Sequence, residues 1–290
     1  MRVLLPTVSL LALILSTWNA ASGQNATRPV ILNKNLPPRS GTVIRERREI
    51  RVDNGRSKQV NAKESTEVTT RYVQRLNLVR RVAGAGTEEV RVAEFLTEFA
   101  HFMGPVPPPN EQSSSLTSKT LRVRKSGSRW DYDLAQGKPS PDERQTLDHL
   151  AFTAGMLDVL SLSLGNDARM PGDTWKTNIP APRGKAAGFI VPKDITCFFA
   201  SLDEKPDGPH AVINITGGLS LERPMGYNSH IEITFEAIVD RRLTDMLDVD
   251  TKIKGSYVLK GEANIAGVGK TALDFNHPFT LTRTLKIEDK

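Results

Sequence analysis

Gly267-Val268-Gly269-Lys270-Thr271 has the residue types that cradle a phosphate: glycines for close backbone approach, then a lysine and a hydroxyl. A phosphate loop also needs a glycine at position 264, where Asn264 stands, and a helix after Thr271, where no helix-forming segment follows. The segment reads as a hairpin turn. Gly218-Leu219-Ser220-Leu221-Glu222 approaches the nucleophile elbow of a serine hydrolase but lacks its second glycine. A triad built from distant residues is defined by geometry rather than spacing, so a hydrolase without a recognisable motif stays among the readings.

The five histidines, His101, His149, His210, His230 and His277, share no short ligand spacing. His149 follows Asp148, yet adjacent residues on a helix point in different directions. Asp240, Asp245, Asp248 and Asp250 suggest calcium, but Lys252 and Ile253 stand where a calcium loop needs an oxygen ligand and a glycine. They read as solvated turn carboxylates. Cys197, the sole cysteine, sits beside Ile195, Phe198 and Phe199 and reads as a small buried residue. It cannot make an internal disulfide. With no dinucleotide fingerprint, paired-cysteine motif or zinc spacing, no catalytic residue, metal or cofactor is singled out, and binding is the leading class of function.

Two groups of side chains suit binding. The aromatic residues Trp130, Tyr132, Trp175, Phe189, Phe198 and Phe199 serve either as core or as the wall of an apolar ligand site. The arginines Arg45, Arg47, Arg48 and Arg51 are the densest part of a basic segment: Gln24 to Val60 holds nine Lys and Arg against three Asp and Glu, while the remainder to Lys290 is nearly neutral. Such a segment either meets an anionic envelope or matrix component or forms a charged strand edge that resists aggregation. Nucleic acid is disfavoured, because no aromatic platform for bases is interleaved with the arginines.

These side chains need elements to hold them. Val68 to Val82 alternates, with Val68, Thr70, Tyr72, Gln74, Leu76 and Leu78 on one face and Arg71, Arg75 and Asn77 on the other. Phe279 to Ile287 alternates in the same way. Asp53-Asn54-Gly55 predicts a hairpin turn, as does Ser126-Gly127-Ser128. Gly104 to Ser118 reads as a loop by composition. One helix is expected from Pro141 to near Leu162: Ser140 and Glu143 form a capping box, and Leu147, Leu150, Ala151, Ala154, Leu157 and Leu160 make one apolar stripe. Such a stripe is most economically buried against a sheet.

Residues 1–23 read as a signal peptide, with Arg2, an apolar run from Val8 to Leu15, and small residues ending at Gly23. The apolar run is shorter than the ~20 residues of a membrane span, so no transmembrane segment is expected in the mature chain. A secreted or periplasmic protein follows. Residues 24–40 form an extended arm, 41–137 an N-terminal β-rich half, 138–170 the helix and its connection, and 171–290 a C-terminal β-rich half.

This layout resembles a group of uncharacterised bacterial exported proteins with a β-rich half, a helix, a Gly-Asp-Ser/Thr-Trp signature and a second β-rich half. Here the signature is Gly172-Asp173-Thr174-Trp175, preceded by Pro171. The resemblance covers Val68 to Ile287 in layout and these four residues in motif; the Arg-rich segment before Val68 departs from it. It implies a curved antiparallel sheet with a helix across it, similar to lipoprotein-carrier half barrels, and implies no catalytic residue.

The expected fold is therefore α+β and β-rich, a curved antiparallel sheet with one amphipathic helix on its concave face. The expected function is non-enzymatic, with a lipid or other apolar ligand held by Trp130, Leu150, Ala154, Leu157 and Trp175. Contact with an anionic partner through Arg45, Arg47, Arg48 and Arg51 is the alternative.

Overall fold

Long runs of alternating residues form long strands, because successive side chains point to opposite faces and one face can be buried along the whole run. The computed structural model describes residues 29–33, 38–61, 64–84, 86–126, 129–177, 179, 190–222, 228–265 and 269–288. The segment read as a signal peptide lies outside them. The strands before the helix are β1 (Val30–Ile31), β2 (Val43–Val60), β3 (Ser65–Gly84), β4 (Thr87–Phe102), β5 (Glu111–Ser113), β6 (Thr120–Ser126) and β7 (Arg129–Leu134). After the helix, α1 (Pro141–Ser163), come β8 (Ala168–Arg169), β9 (Thr174–Thr177), β10 (Val191–Lys205), β11 (Gly208–Glu222), β12 (Asn228–Arg242), β13 (Leu247–Ile265) and β14 (Gly269–Glu288).

All but β1 and β8 join one antiparallel sheet in the order β7-β6-β4-β3-β2-β14-β13-β12-β11-β10-β9, with β5 added to β4. The sheet is curved but not closed. The strands before and after the helix thus share one sheet, joined where β14 pairs with β2 from Glu288 opposite Val43 to Ala272 opposite Val60. The register sets Arg283, Arg48, Leu76 and Phe95 in one row across four strands, and Leu281, Ile50, Gln74 and Thr97 in the next.

The helix starts where expected. Ser140 Oγ accepts from the Glu143 amide at 3.3 Å, and Glu143 Oε2 accepts from the Ser140 amide at 2.8 Å. Lys119 pairs with Glu143, which lowers the carboxyl's pKa further. Leu147 and Leu150 enter a cluster with Leu76, Leu78, Val92, Phe95 and Leu121; Met156, Leu157, Val159 and Leu160 enter a larger one with residues of β9 to β14. The concave face is therefore the one carrying these residues, and the helix bridges its two sides. That is why the buried arc is wider than the stripe, taking in Thr153, Gly155, Met156 and Ser163 as well.

Several expectations need revision. Asn54-Gly55 is not a turn: β2 runs straight through, with a bulge between Val52 and Gly55. A side chain at Gly55 would lie 2.5 Å from His277 Cδ2 and 2.9 Å from Val52 Cγ1, so glycine here permits close packing. The Gly104 to Ser118 loop contains β5 and the fully buried Leu116. The acidic cluster is not composed of solvated turn residues. Asp240, Asp248 and Asp250 lie in strands, where Asp240 meets Lys205 and His210, and buried Asp248 meets Arg241 at 2.6 Å. Within the segment read as an arm, β1 pairs with β8 and Leu32 is fully buried in the large cluster.

Candidate functional site

The side chains expected to wall a ligand space are packed as core or edge. Leu150, Ala154 and Leu157 are buried against the sheet. Trp175 is buried on β9, its Nε1 donating to the Ser163 carbonyl at 3.2 Å and its ring capped by Arg169. Trp130 is half-buried on the opposite edge strand, β7, under Lys125. Cys197, opposite Trp175, is fully buried; its thiol donates to Ser163, and burial raises its pKa. Phe199 is core, Phe198 lies on the other face of β10, and Phe189 is outside the described residues.

The signature residues have structural tasks. Gly172 takes φ +95° and donates its amide to Phe199, Asp173 caps the Met170 amide, and Trp175 covers Cys197 and Ser163.

The concave face is open away from the helix. Toward the far ends of β4, β3, β2, β14 and β13, inner residues regain exposure: Phe99 is 59% exposed, and Tyr72, Tyr257, Phe275, His277 and Phe279 are half-buried. Their rings touch in two groups. Phe99 packs edge-on against Tyr72 and His101, with centroids 6.5 and 4.5 Å away, while His277 stacks between Phe275 and Tyr257 at 5.7 and 5.9 Å. Gly255 makes room for the Phe279 ring, whose Cε1 would lie 2.7 Å from an added Cβ. Burial raises the Tyr72 and Tyr257 hydroxyls to about 12.

A buried hydroxyl pair joins the two ring groups. Ser57 Oγ lies 2.9 Å from His277 Nε2 and 2.8 Å from Thr70 Oγ1, which lies 3.0 Å from His101 Nδ1. Burial lowers the pKa of both histidines. Ser57 next to a histidine has the outline of a nucleophile and its base, but Ser57 has no exposed surface for a substrate carbonyl to reach. The arrangement is a polar seam under an aromatic wall. Its members are too distant in sequence to be linked by spacing, although Phe275, His277 and Phe279 at alternate positions were a legible hint.

A second feature lies deeper, on the same face. Glu46 is 3% exposed and is surrounded by Arg48 (Nη2 2.5 Å), Arg80 (2.8 Å) and Arg283 (3.2 Å); Arg80 also makes two 2.8 Å bonds to Glu88. Burial would raise the Glu46 pKa, but Arg283, Arg48 and Arg80 hold it well below the usual carboxylate range. Tyr132 and His149 adjoin the cluster; burial, reinforced by Arg48, lowers His149 to about 4.

The four arginines read as one basic patch are therefore divided. Strand alternation turns Arg48 inward, while Arg45, Arg47 and Arg51 belong to the opposite, convex face. Arg45 pairs there with Glu288 and Arg51 with Glu49, and Arg45, Arg47 and Lys286 line a groove of about 560 Å³. Among the described residues, no group of three His, Cys, Asp or Glu could hold a metal ion, and no helix is long and apolar enough to cross a membrane.

No protein-family model matches the chain, and no curated protein matches it in sequence. Among solved structures it is similar to lipovitellin, in a structure titled for its lipid–protein interactions, at 9% identity and a TM-score of 0.43 over 86% of this chain and 26% of that one. The chain thus spans about a quarter of lipovitellin's length. The COG4313 outer membrane channel from Pseudomonas putida F1 matches at 7% identity and a TM-score of 0.26, over 87% of this chain and 97% of the channel. A DUF1329 family protein from Desulfovibrio piger matches at 7% identity and 0.15, over 85% and 84%.

Proposed function

We propose that the protein binds a lipid or another elongated apolar ligand in the open part of its concave face, acting outside the cytoplasm after export. The observation that carries this reading is the part-exposed wall of Tyr72, Phe99, Tyr257, Phe275 and Phe279 on a face whose helix-covered part is buried. Aromatic side chains left open together on one face mark a binding site more often than single exposed apolar residues do. Export rests on the character of residues 1–23.

Phe99 is exposed enough to change without opening a cavity. Phe99→Asp should weaken binding of a fluorescent fatty-acid analogue at least tenfold, about 1.4 kcal/mol. Thermal stability should stay within about 0.5 kcal/mol of the parent, as for most surface changes. Probe affinity unchanged in the variant would remove the aromatic wall from the ligand's path.

A further inference from the structure

Arg241 shows how this fold completes a buried arginine. It is 1% exposed, and its Nε meets Asp248 Oδ1 at 2.6 Å, its Nη1 the Leu32 carbonyl at 2.8 Å and its Nη2 the Ser161 hydroxyl. Arg48, 3% exposed, is left incomplete. Its Nε and Nη2 both go to one oxygen of Glu46, and its Nη1 has no partner. Arg283 Nε lies 3.2 Å from that same oxygen without a well-aligned hydrogen bond, and the enclosed Nε2 of His149 is also unpartnered.

Buried donors are nearly always satisfied, so the unmet Nη1 of Arg48 and the poorly aligned Nε of Arg283 need a reason. The charge count supplies one: three guanidiniums, Arg48, Arg80 and Arg283, face two carboxylates, Glu46 and Glu88. The cluster lacks an anion. It is not sealed, since the side chains of Arg283, Arg80 and Glu88 are 12%, 14% and 15% exposed.

The cluster also shares its strands with the open aromatic face. Arg283 stands opposite Arg48, and the next inner positions along these strands are Leu281 opposite Ile50, followed by Phe279 and Val52. From Arg283 to Phe275 the strand covers roughly 27 Å at about 3.4 Å per residue, the length scale of a long acyl chain.

We infer that Arg48, assisted by Arg283 and His149, seats the anionic head group, carboxylate or phosphate, of an amphiphile whose tail lies along the aromatic wall. This rests on the apolar binding proposed above and adds the class of ligand. Arg48 is the surplus cation, because without it Arg80 and Arg283 still balance Glu46 and Glu88. Removing it should therefore cost selectivity and leave the fold intact, the opposite of what a purely structural arginine would do.

The test is titration of the full chain with palmitate, hexadecyl phosphate and hexadecanol, in the parent and in Arg48→Met. The parent should prefer one or both anions over the alcohol by at least roughly tenfold, the scale of one charge-assisted hydrogen bond. Whichever anion binds tighter identifies the head group. Arg48→Met should lose that preference, keep its affinity for hexadecanol and melt no lower than the parent; if it fails to fold, Arg283→Gln takes its place with the same expected loss. Equal binding of anions and alcohol by the parent, or a preference that survives substitution, overturns the head-group site while leaving apolar binding intact. No binding of any of the three overturns both.

Discussion

Glu46→Gln is expected to destabilise the protein by about 3–5 kcal/mol, the usual cost of removing one partner from a buried ion cluster. Among the described residues, Glu46 is the only carboxylate shared by Arg48, Arg80 and Arg283; Glu88 hydrogen-bonds to Arg80. Without Glu46, three buried guanidiniums would face a single acid, and glutamine supplies an acceptor but no charge. Glu288→Gln is the control. Its pair with Arg45 is exposed, and such pairs contribute about 0–1 kcal/mol. Denaturant unfolding of both variants decides the matter: a loss of less than about 1 kcal/mol for Glu46→Gln would mean that the cluster is not held by charge.

Acid should weaken the fold in two separable steps, the first governed by His149. Burial, then Arg48, lowers its pKa to about 4, whereas the unfolded residue titrates near 6.5. Between those values the unfolded chain binds the extra proton, so stability falls as pH drops from about 6.5 toward 4 and then levels for this group. The expected loss is about 2 kcal/mol by pH 5, from roughly 1.4 kcal/mol per unit. Glu46 acts in a lower window. Its depressed carboxyl contributes stability above the ordinary carboxylate pKa, and that contribution is lost as pH falls through the lower folded value. His149→Phe should flatten the first step and spare the second, as read by urea unfolding at pH 7, 6 and 5. A first step of unchanged size in the variant would assign it elsewhere, with His101 and His277 the next candidates because burial lowers both.

The features legible in the sequence were those fixed by local chemistry. Ser140 and Glu143 mark the helix start because the capping box is a bond between near neighbours. Phe279 to Ile287 shows its strand because period-two alternation needs only one buried face. Asp248 reads as a turn carboxylate until its pairing with Arg241 across two strands is known. Asn54-Gly55 misled for a related reason, because a glycine needed for contact with His277, more than two hundred residues away, has the same signature as a glycine needed for a turn.

The candidate site was less legible. Arg45, Arg47, Arg48 and Arg51 form one patch by composition, although alternation with Ile44, Ile50 and Val52 assigns Arg48, with Glu46, to the inner face. The helix stripe suggested a ligand wall at Leu150, Ala154 and Leu157, but an apolar stripe carries the same pattern whether it is packed or lines a space, and here it is packed. The seam of Ser57, Thr70, His101 and His277 is assembled only by the strand register and has no counterpart in local spacing.

The most direct test of ligand binding is native mass spectrometry of the mature protein isolated from its own host, with organic extraction of whatever remains bound. An extractable amphiphile at near-stoichiometric amount is expected, reduced in Phe99→Asp. Protein that is consistently bare, and that takes up no acyl probe when offered one, would contradict it.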